Sequence, residues 1–195
     1  MTDLFSELKH QTSAAHQTLE ATAPFNTMLK SDSFSSQSYK NNLTILASFH
    51  QYVAQLIEHN PRVCELSALL QPQTTLQAIH TDLRSLTDLQ PIPQYNAGLE
   101  KQNMGDLIAA GYVWMGSSMG AKMLHRWLLQ HNYSHLPIHY YAHMASIGRN
   151  WRAFQQLALQ LAETHQISHQ RCAHSAKTLF EELIHCANRV NQVVE

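Results

Sequence analysis

The chain has 195 residues, which is enough for one sizeable hydrophobic core, and we expect a single domain over residues 1–195. Apolar residues make up 44% of the chain and charged residues 14%, with a formal net charge of −1 and no long basic run. This composition argues against a nucleic-acid partner and against binding to an acidic membrane surface. The three cysteines are widely spaced and form no CxxC pair, so neither a disulfide framework nor a thiolate metal site is indicated.

Two features argue against membrane insertion. The N-terminal segment MTDLFSELKHQTS contains charged residues and lacks the apolar region of a signal peptide. The longest uncharged run near the middle of the chain, residues 107–121, is shorter than the ~20 apolar residues that a spanning helix needs. We therefore expect a soluble, cytoplasmic protein.

Apolar residues recur at helical spacing along nearly the whole chain, and no alternating pattern typical of strands stands out. The first helix is predicted over residues 3–20 and is closed by Pro24; the second is predicted over residues 37–59. The apolar stripe of the first helix consists of Leu4, Leu8, Thr12, Ala15 and Leu19. The stripe of the second consists of Tyr39, Leu43, Leu46, Phe49, Val53, Leu56 and Ile57.

Cap and loop residues indicate where the remaining helices begin and end. Asn60 followed by Pro61 indicates an N-cap and a proline at the first helical position, and QPIPQ at residues 90–94 indicates a loop. The remaining predicted helices are Arg62–Leu70, Thr74–Thr87, a long helix after the loop, about Ile138–Thr164, and a last one after Ser168. We expect a single all-α bundle of about seven or eight helices.

Two patterns of potential metal ligands are disfavoured. One is a series of histidines at every fourth position, which Pro137 interrupts and which no carboxylate accompanies; its members are His131, His135, His139 and His143. The other is a pair of E-x-x-H sequences of the di-iron type, Glu7 to His10 and Glu182 to His185. That architecture also needs two glutamates in the middle of other helices, and the candidates, Glu58 and Glu100, lie near predicted helix ends.

A third pattern lies along one edge of the first helix. Lys9 and His16 are seven residues apart and therefore share an edge, two turns from each other. Glu20 follows one turn after His16, where a carboxylate can restrain the imidazole. An imidazole ligand with a cation nearby suits haem, whose iron binds histidine and whose propionates are anionic. Taken alone, His16 is also explained as a boundary histidine without a special role.

The long helix contains GYVWMGSSMG, with three of the six glycines of the chain. Each glycine inside a helix costs roughly 1 kcal/mol relative to alanine. Gly116 and Gly120 are four residues apart and share a face, which Ala121 extends. Small residues on one face allow a planar ligand to approach the backbone closely. They also allow a tight helix–helix crossing, which is the alternative explanation.

With these two helices, the sequence resembles the haem oxygenase family, and the resemblance extends over most of the chain. LKHQTSAAHQTLE at residues 8–20 is similar to the family's proximal helix, with the pattern L-K-x-x-T-x-x-x-H-x-x-x-E in register. The resemblance implies that His16 is the proximal iron ligand, that Glu20 is its supporting partner, and that Lys9 contacts a haem propionate.

GYVWMGSSMGAKML is similar to the family's distal helix, which in bacterial members reads roughly Y-V-x-x-G-S-x-L-G. The resemblance places Gly116 and Gly120 on the glycines that let this helix bend over the haem. Tyr112, Ser118 and Met119 are then expected at the ligand, and Met119 replaces the usual leucine. Ser117 stands where mammalian-type members have an aspartate that organises the distal water, so water has to be held by the backbone and by Ser117 or Ser118.

The C-terminal part, RNWRAFQQL followed by HSAKTLFEEL, is also similar to the family. This alignment makes Arg152 a second propionate-binding cation and Phe180 part of the haem-side core. The family's activity is oxidative opening of haem with O2 to biliverdin or an isomer, carbon monoxide and ferrous iron. Electrons would come from a ferredoxin or a flavoprotein reductase, because the chain has no dinucleotide-binding glycine fingerprint.

Two other functions remain as alternatives. One is a haem carrier, store or sensor of the same fold that does not degrade haem; the substitutions at Ser117 and Met119 favour it. The other is a helical enzyme such as a thiaminase-like hydrolase, which would need a catalytic cysteine in a pocket. A globin is disfavoured because its ligand histidine would lie late in the chain.

Overall fold

The structure is a computed structural model that describes residues 3–58, 60–133 and 135–192. In these ranges the chain forms α-helices and short 3₁₀ turns and no strand, which confirms the predicted all-α class. Residue 59, the last of the predicted second helix, lies outside the described residues, as do residues 1, 2, 134 and 193–195 of the predicted domain. The helices are α1 Leu4–Ala21, α2 Ser36–Ile57, α3 Cys64–Leu70, α4 Pro72–Arg84, α5 Met104–Gln130, α6 His139–Ile147, α7 Trp151–Thr164 and α8 His169–Gln192.

Several helix starts follow directly from local sequence. Asp3 caps α1 by accepting hydrogen bonds from the backbone N–H groups of Phe5 and Ser6. Asn60 accepts from the N–H of Arg62, as the Asn-Pro signal predicts, although the first turn there is 3₁₀ and α3 itself begins at Cys64. The predicted apolar stripe of α1 is also confirmed, because all five of its residues are buried.

The bundle is organised around α8 and α5. Helix α8 packs against both α1 and α5, while α5 also packs against α6 and α7. Helix α2 packs against α4 and α8, and α4 packs against α6. The largest fully buried side chains include Trp114 of α5 and the aromatic residues Tyr39, Phe49, Tyr140 and Phe154. The two helices of the predicted site, α1 and α5, thus share α8 as a support.

The prediction of one helix over Ile138–Thr164 is wrong. The chain forms α6, then a 3₁₀ turn at Gly148–Asn150, and then α7. At the break, a Cβ atom on Gly148 would lie 3.1 Å from Oγ of Ser118, so the chain passes close to α5 there. The side-chain amide of Asn150 donates to the carbonyl oxygen of Leu69, which fixes the turn from the other side. Both contacts join residues that are distant in sequence, so the apolar spacing over Ile138–Thr164 carries no sign of the break.

The fourth helix is also shorter than predicted, because α4 ends at Arg84 and Ser85 caps it. Within the described ranges, no helix is both long enough and apolar enough to cross a membrane.

Candidate functional site

His16 lies on the exposed edge of α1, with half of its side-chain surface accessible. Its Nδ1 is 3.6 Å from Oε1 of Glu20, which is slightly beyond hydrogen-bond distance but close enough for the carboxylate to restrain the ring. The ring of Phe180 on α8 meets the imidazole edge-to-face, with centroids 5.3 Å apart. The predicted pairing of His16 with Glu20 is therefore present, and Phe180 joins them from another helix.

An aromatic corner joins α1, α5 and α7. The ring of Phe5 lies 6.3 Å from that of Tyr112 and 5.9 Å from that of Trp151, measured between centroids. Arg152, the neighbour of Trp151, and Lys9, one turn after Phe5, are both exposed. The fold thus brings Tyr112 and the start of α7 to the N-terminal half of α1. Neither cation forms a salt bridge in the described part of the chain.

The other predicted site residues lie further along α1 and α5, at distances from the aromatic corner that follow from the helical rise. At 1.5 Å per residue, His16 lies about 16 Å beyond Phe5 on α1. Gly116 and Gly120 lie about 6 and 12 Å beyond Tyr112 on α5. Apart from the corner, α1 and α5 have few contacts with each other, and each packs against α8.

One face of α5 is open around Gly116 and Gly120. A Cβ atom built on either glycine would have no described atom within 4 Å. Met119 and Met123 border this face and expose 64% and 60% of their surface. We call the surface formed by Gly116, Met119, Gly120 and Met123 the open face of α5. The alternative explanation of this glycine pair, a tight helix crossing, is not realised among the described residues.

Gly111, at the start of GYVWMGSSMG, is closely packed, in contrast to Gly116 and Gly120. A Cβ atom there would lie 2.7 Å from Cε2 of Phe154 and 3.1 Å from Cδ1 of Leu66. This glycine permits α5 to cross α3 and α7 closely, whereas the other two expose backbone.

The two serines of α5 differ in burial. Ser117 is half-buried, and its hydroxyl donates to the carbonyl oxygen of Trp114 at 2.6 Å. Ser118 is buried beside Gly148, and its hydroxyl donates to the carbonyl oxygen of Met115. Ser118 therefore lies on the side of α5 that packs into the protein, about 200° around the helix from Gly116.

The buried imidazole of His50, which lies between α2, α5 and α6, was not predicted from the sequence. Nε2 of His50 is 2.7 Å from the hydroxyl of Tyr140, and the imidazole lies edge-to-face against Trp114. Burial, together with the nearby imidazole of His143, lowers the pKa of His50 to about 3. Burial raises the pKa of the Tyr140 phenol, and hydrogen bonding with the Ser117 hydroxyl partly opposes this. The spacing of His50 from Leu46 and Val53 places it on the α2 stripe, which was the available signal.

The other candidate ligands have separate partners. Glu182 pairs with Arg189 and His185, and His139 pairs with Asp82. In the ranges that the structure describes, no three His, Cys, Asp or Glu side chains are grouped as a metal site would require. Burial raises the pKa of the Cys172 thiol to about 12 and raises that of Cys186, which disfavours either as a nucleophile.

The residues present fit a flat, anionic, iron-containing ligand. His16 offers an exposed imidazole that is restrained on its Nδ1 side, which leaves Nε2 as the nitrogen that can ligate a metal ion. On the open face of α5, a Cβ atom at Gly116 or Gly120 would meet no described atom of another element within 4 Å, so a ligand can approach the backbone there. Comparison of the chain with protein-family models, with curated proteins and with solved structures gave no match.

Proposed function

We propose that this protein binds haem between α1 and α5 and cleaves it oxidatively to biliverdin or an isomer, carbon monoxide and ferrous iron. The observation that supports this most directly is the group formed by His16, Glu20 and Phe180 on two packed helices. A half-exposed imidazole restrained by a carboxylate and by an aromatic edge is suited to bind iron from one side.

Four further residues, two cations and two glycines, have physical roles in the proposal. Lys9 and Arg152 are exposed cations on helices that meet at the aromatic corner, where they can bind the two propionates. Gly116 and Gly120 allow the ring to lie against the backbone of α5. When bound, haem supplies the iron at which O2 is reduced, with electrons from a ferredoxin or a flavoprotein reductase.

A second candidate function is haem binding without cleavage. The two serine hydroxyls that were expected to hold water both donate to carbonyl oxygens of their own helix, Ser117 to Trp114 and Ser118, on the packed side of α5, to Met115. Neither hydroxyl proton is then free to orient a water molecule beside the ligand. This arrangement favours a carrier unless Ser117 changes its hydrogen-bond partner.

Spectroscopy with hemin tests both candidates. Hemin added to the purified protein is expected to give a Soret band, and ascorbate or a reductase under air is expected to replace it with bilin absorption. A stable oxygenated spectrum would support the carrier instead. His16→Ala is expected to change the haem spectrum, whereas His10→Ala is the matched control, because His10 is exposed about 240° around α1 from His16. If His16→Ala leaves the spectrum unchanged, the ligand assignment is wrong.

A further inference from the structure

Met119 and Met123 are the two most exposed large apolar side chains in the described part of the chain. They expose 64% and 60% of their surface, whereas Met115, one turn before Met119 on the same helix, is completely buried. Single exposed apolar side chains are common in proteins. These two are four residues apart and therefore lie on the same side of α5, where they form one accessible apolar patch.

The two methionines lie beside the two glycines that expose backbone. At 100° per residue, Met119, Met123, Gly116 and Gly120 fall within about 100° of the circumference of α5. A Cβ atom on either glycine would meet no described atom of another element within 4 Å. Because glycine has no side chain, the two thioethers are the only side chains of the open face. They therefore determine whether this face is apolar.

Methionine differs from the other large apolar residues because its sulfur can be oxidised. Hydrogen peroxide transfers one oxygen atom to an accessible thioether: the sulfur loses two electrons, the O–O bond breaks, and the rest of the peroxide leaves as water. The sulfoxide that forms is polar, and methionine sulfoxide reductases return it to the thioether. Since the peroxide must reach the sulfur, exposed methionines react before buried ones.

We propose that Met119 and Met123 form a reversible oxidation site, and that their conversion to sulfoxides by hydrogen peroxide weakens the binding of an apolar ligand to the open face of α5. Each sulfoxide replaces apolar contact with a polar group that has to lose its hydration when the ligand binds. The oxidation is a property of the protein alone. Its consequence for haem rests on the proposed function.

Peptide mass spectrometry of the haem-free protein, after brief treatment with dilute hydrogen peroxide, tests the oxidation site. Met119 and Met123 are expected to gain one oxygen atom each before Met115 and Met144, which are completely buried. Circular dichroism verifies that the helices stay folded during the treatment. Equal rates at the exposed and the buried positions of the folded protein would overturn the site.

A double variant, Met119→Leu with Met123→Leu, tests the effect on the ligand. It keeps two apolar side chains of similar size on the open face but has no sulfur there. After the peroxide is removed with catalase, hemin titration is expected to show at least about tenfold weaker binding by the treated wild type and unchanged binding by the treated variant. Methionine sulfoxide reductases are expected to restore the affinity of the wild type. An equal response of the two proteins would contradict the proposal.

The apolar dye anilinonaphthalene sulfonate separates this inference from the haem function. Its fluorescence with the haem-free protein is expected to fall when the wild type is oxidised and to stay unchanged when the double variant is treated. If the untreated wild type does not bind hemin, the haem function is wrong, and the dye still decides whether the sulfoxides change the open face. Equal dye fluorescence before and after oxidation of the wild type would overturn the proposal whether or not hemin binds.

Discussion

The ring of Phe154 occupies the space in which a side chain at Gly111 would project. A Cβ atom at position 111 would lie 2.7 Å from Cε2 of Phe154, closer than real Cβ contacts come. Phe154 is completely buried and also contacts Phe5 and Trp151, so its ring has little freedom to move away. Close packing against Phe154 therefore accounts for glycine at position 111. Gly116 and Gly120 have no such contact and expose backbone instead.

Gly111→Ala is therefore expected to destabilise the protein. Inserting a methyl group into a closely packed crossing typically costs about 1–3 kcal/mol. Urea unfolding at neutral pH measures the change as a lower midpoint with an unchanged slope. Wild-type stability in this variant would show that Phe154 repacks without cost.

Gly116→Ala is the matched comparison, because the same substitution on the same helix meets no atom within 4 Å. Alanine is favoured over glycine in a helix by about 1 kcal/mol, so this variant is expected to unfold at higher urea concentration than wild type. Destabilisation instead would contradict the open environment of position 116.

Gly120→Leu tests whether haem lies on the open face of α5. The leucine side chain points into open space and is expected to leave the folded state intact, but it would fill the volume that the ligand needs. Hemin titration is expected to show at least about tenfold weaker binding, which corresponds to about 1.4 kcal/mol. Met123→Leu keeps an apolar side chain of similar size on that face and serves as the control. Equal affinity of Gly120→Leu and wild type would move the ligand to another surface.

Asp82 is a buried carboxylate of α4 that holds the start of α6. It accepts hydrogen bonds from the backbone N–H groups of His139 and Tyr140, at 3.1 and 2.8 Å, and from Nδ1 of His139 at 2.7 Å. Asp82→Ala leaves the two backbone donors without their acceptor and is expected to cost about 2–3 kcal/mol. His139→Ala removes just the exposed imidazole and is expected to cost less than about 1 kcal/mol. Equal losses in thermal unfolding would contradict this division.

His50 makes stability depend on pH in a defined direction. Its pKa in the folded protein is about 3, below the ordinary value of 6.5, so the unfolded chain binds the proton more readily. Its contribution to stability is complete above pH 6.5 and is lost progressively as the pH falls toward 3. The free energy of unfolding should decrease by up to about 1.4 kcal/mol per pH unit from this residue alone.

His50→Gln removes one group that binds a proton in the unfolded chain but not in the folded protein. The free energy of unfolding of this variant is therefore expected to depend less steeply on pH. The partly buried His80 and His143 also have lowered pKa values because of burial, so the variant keeps a smaller slope of the same sign. Urea unfolding between about pH 4 and 6 measures both slopes. His165→Gln, at an exposed position, should behave like wild type. An unchanged slope in His50→Gln would show that the site is accessible to protons in the folded state.

Most of the helical structure could be predicted because its causes are local. Helical periodicity identified the buried stripe of α1, and the Asn60–Pro61 pair identified a real cap. The break at Gly148–Asn150 could not be predicted, since its causes are Ser118 and Leu69, which are distant in sequence. His50 lies on the predicted stripe of α2, but its contacts with Tyr140 and Trp114 also join residues that are distant in sequence, so its buried environment could not be predicted.

By itself, the sequence determined the proximity of His16 to Glu20, because residues four apart in a helix lie on one side whatever the surrounding fold. It also determined that Gly116 and Gly120 share a face. The tertiary structure alone decided that Phe180 touches His16, that Gly111 is packed, and that Gly116 and Gly120 are open. Side-chain spacing within a helix follows from 3.6 residues per turn, whereas the environment of each face depends on which distant helix packs against it.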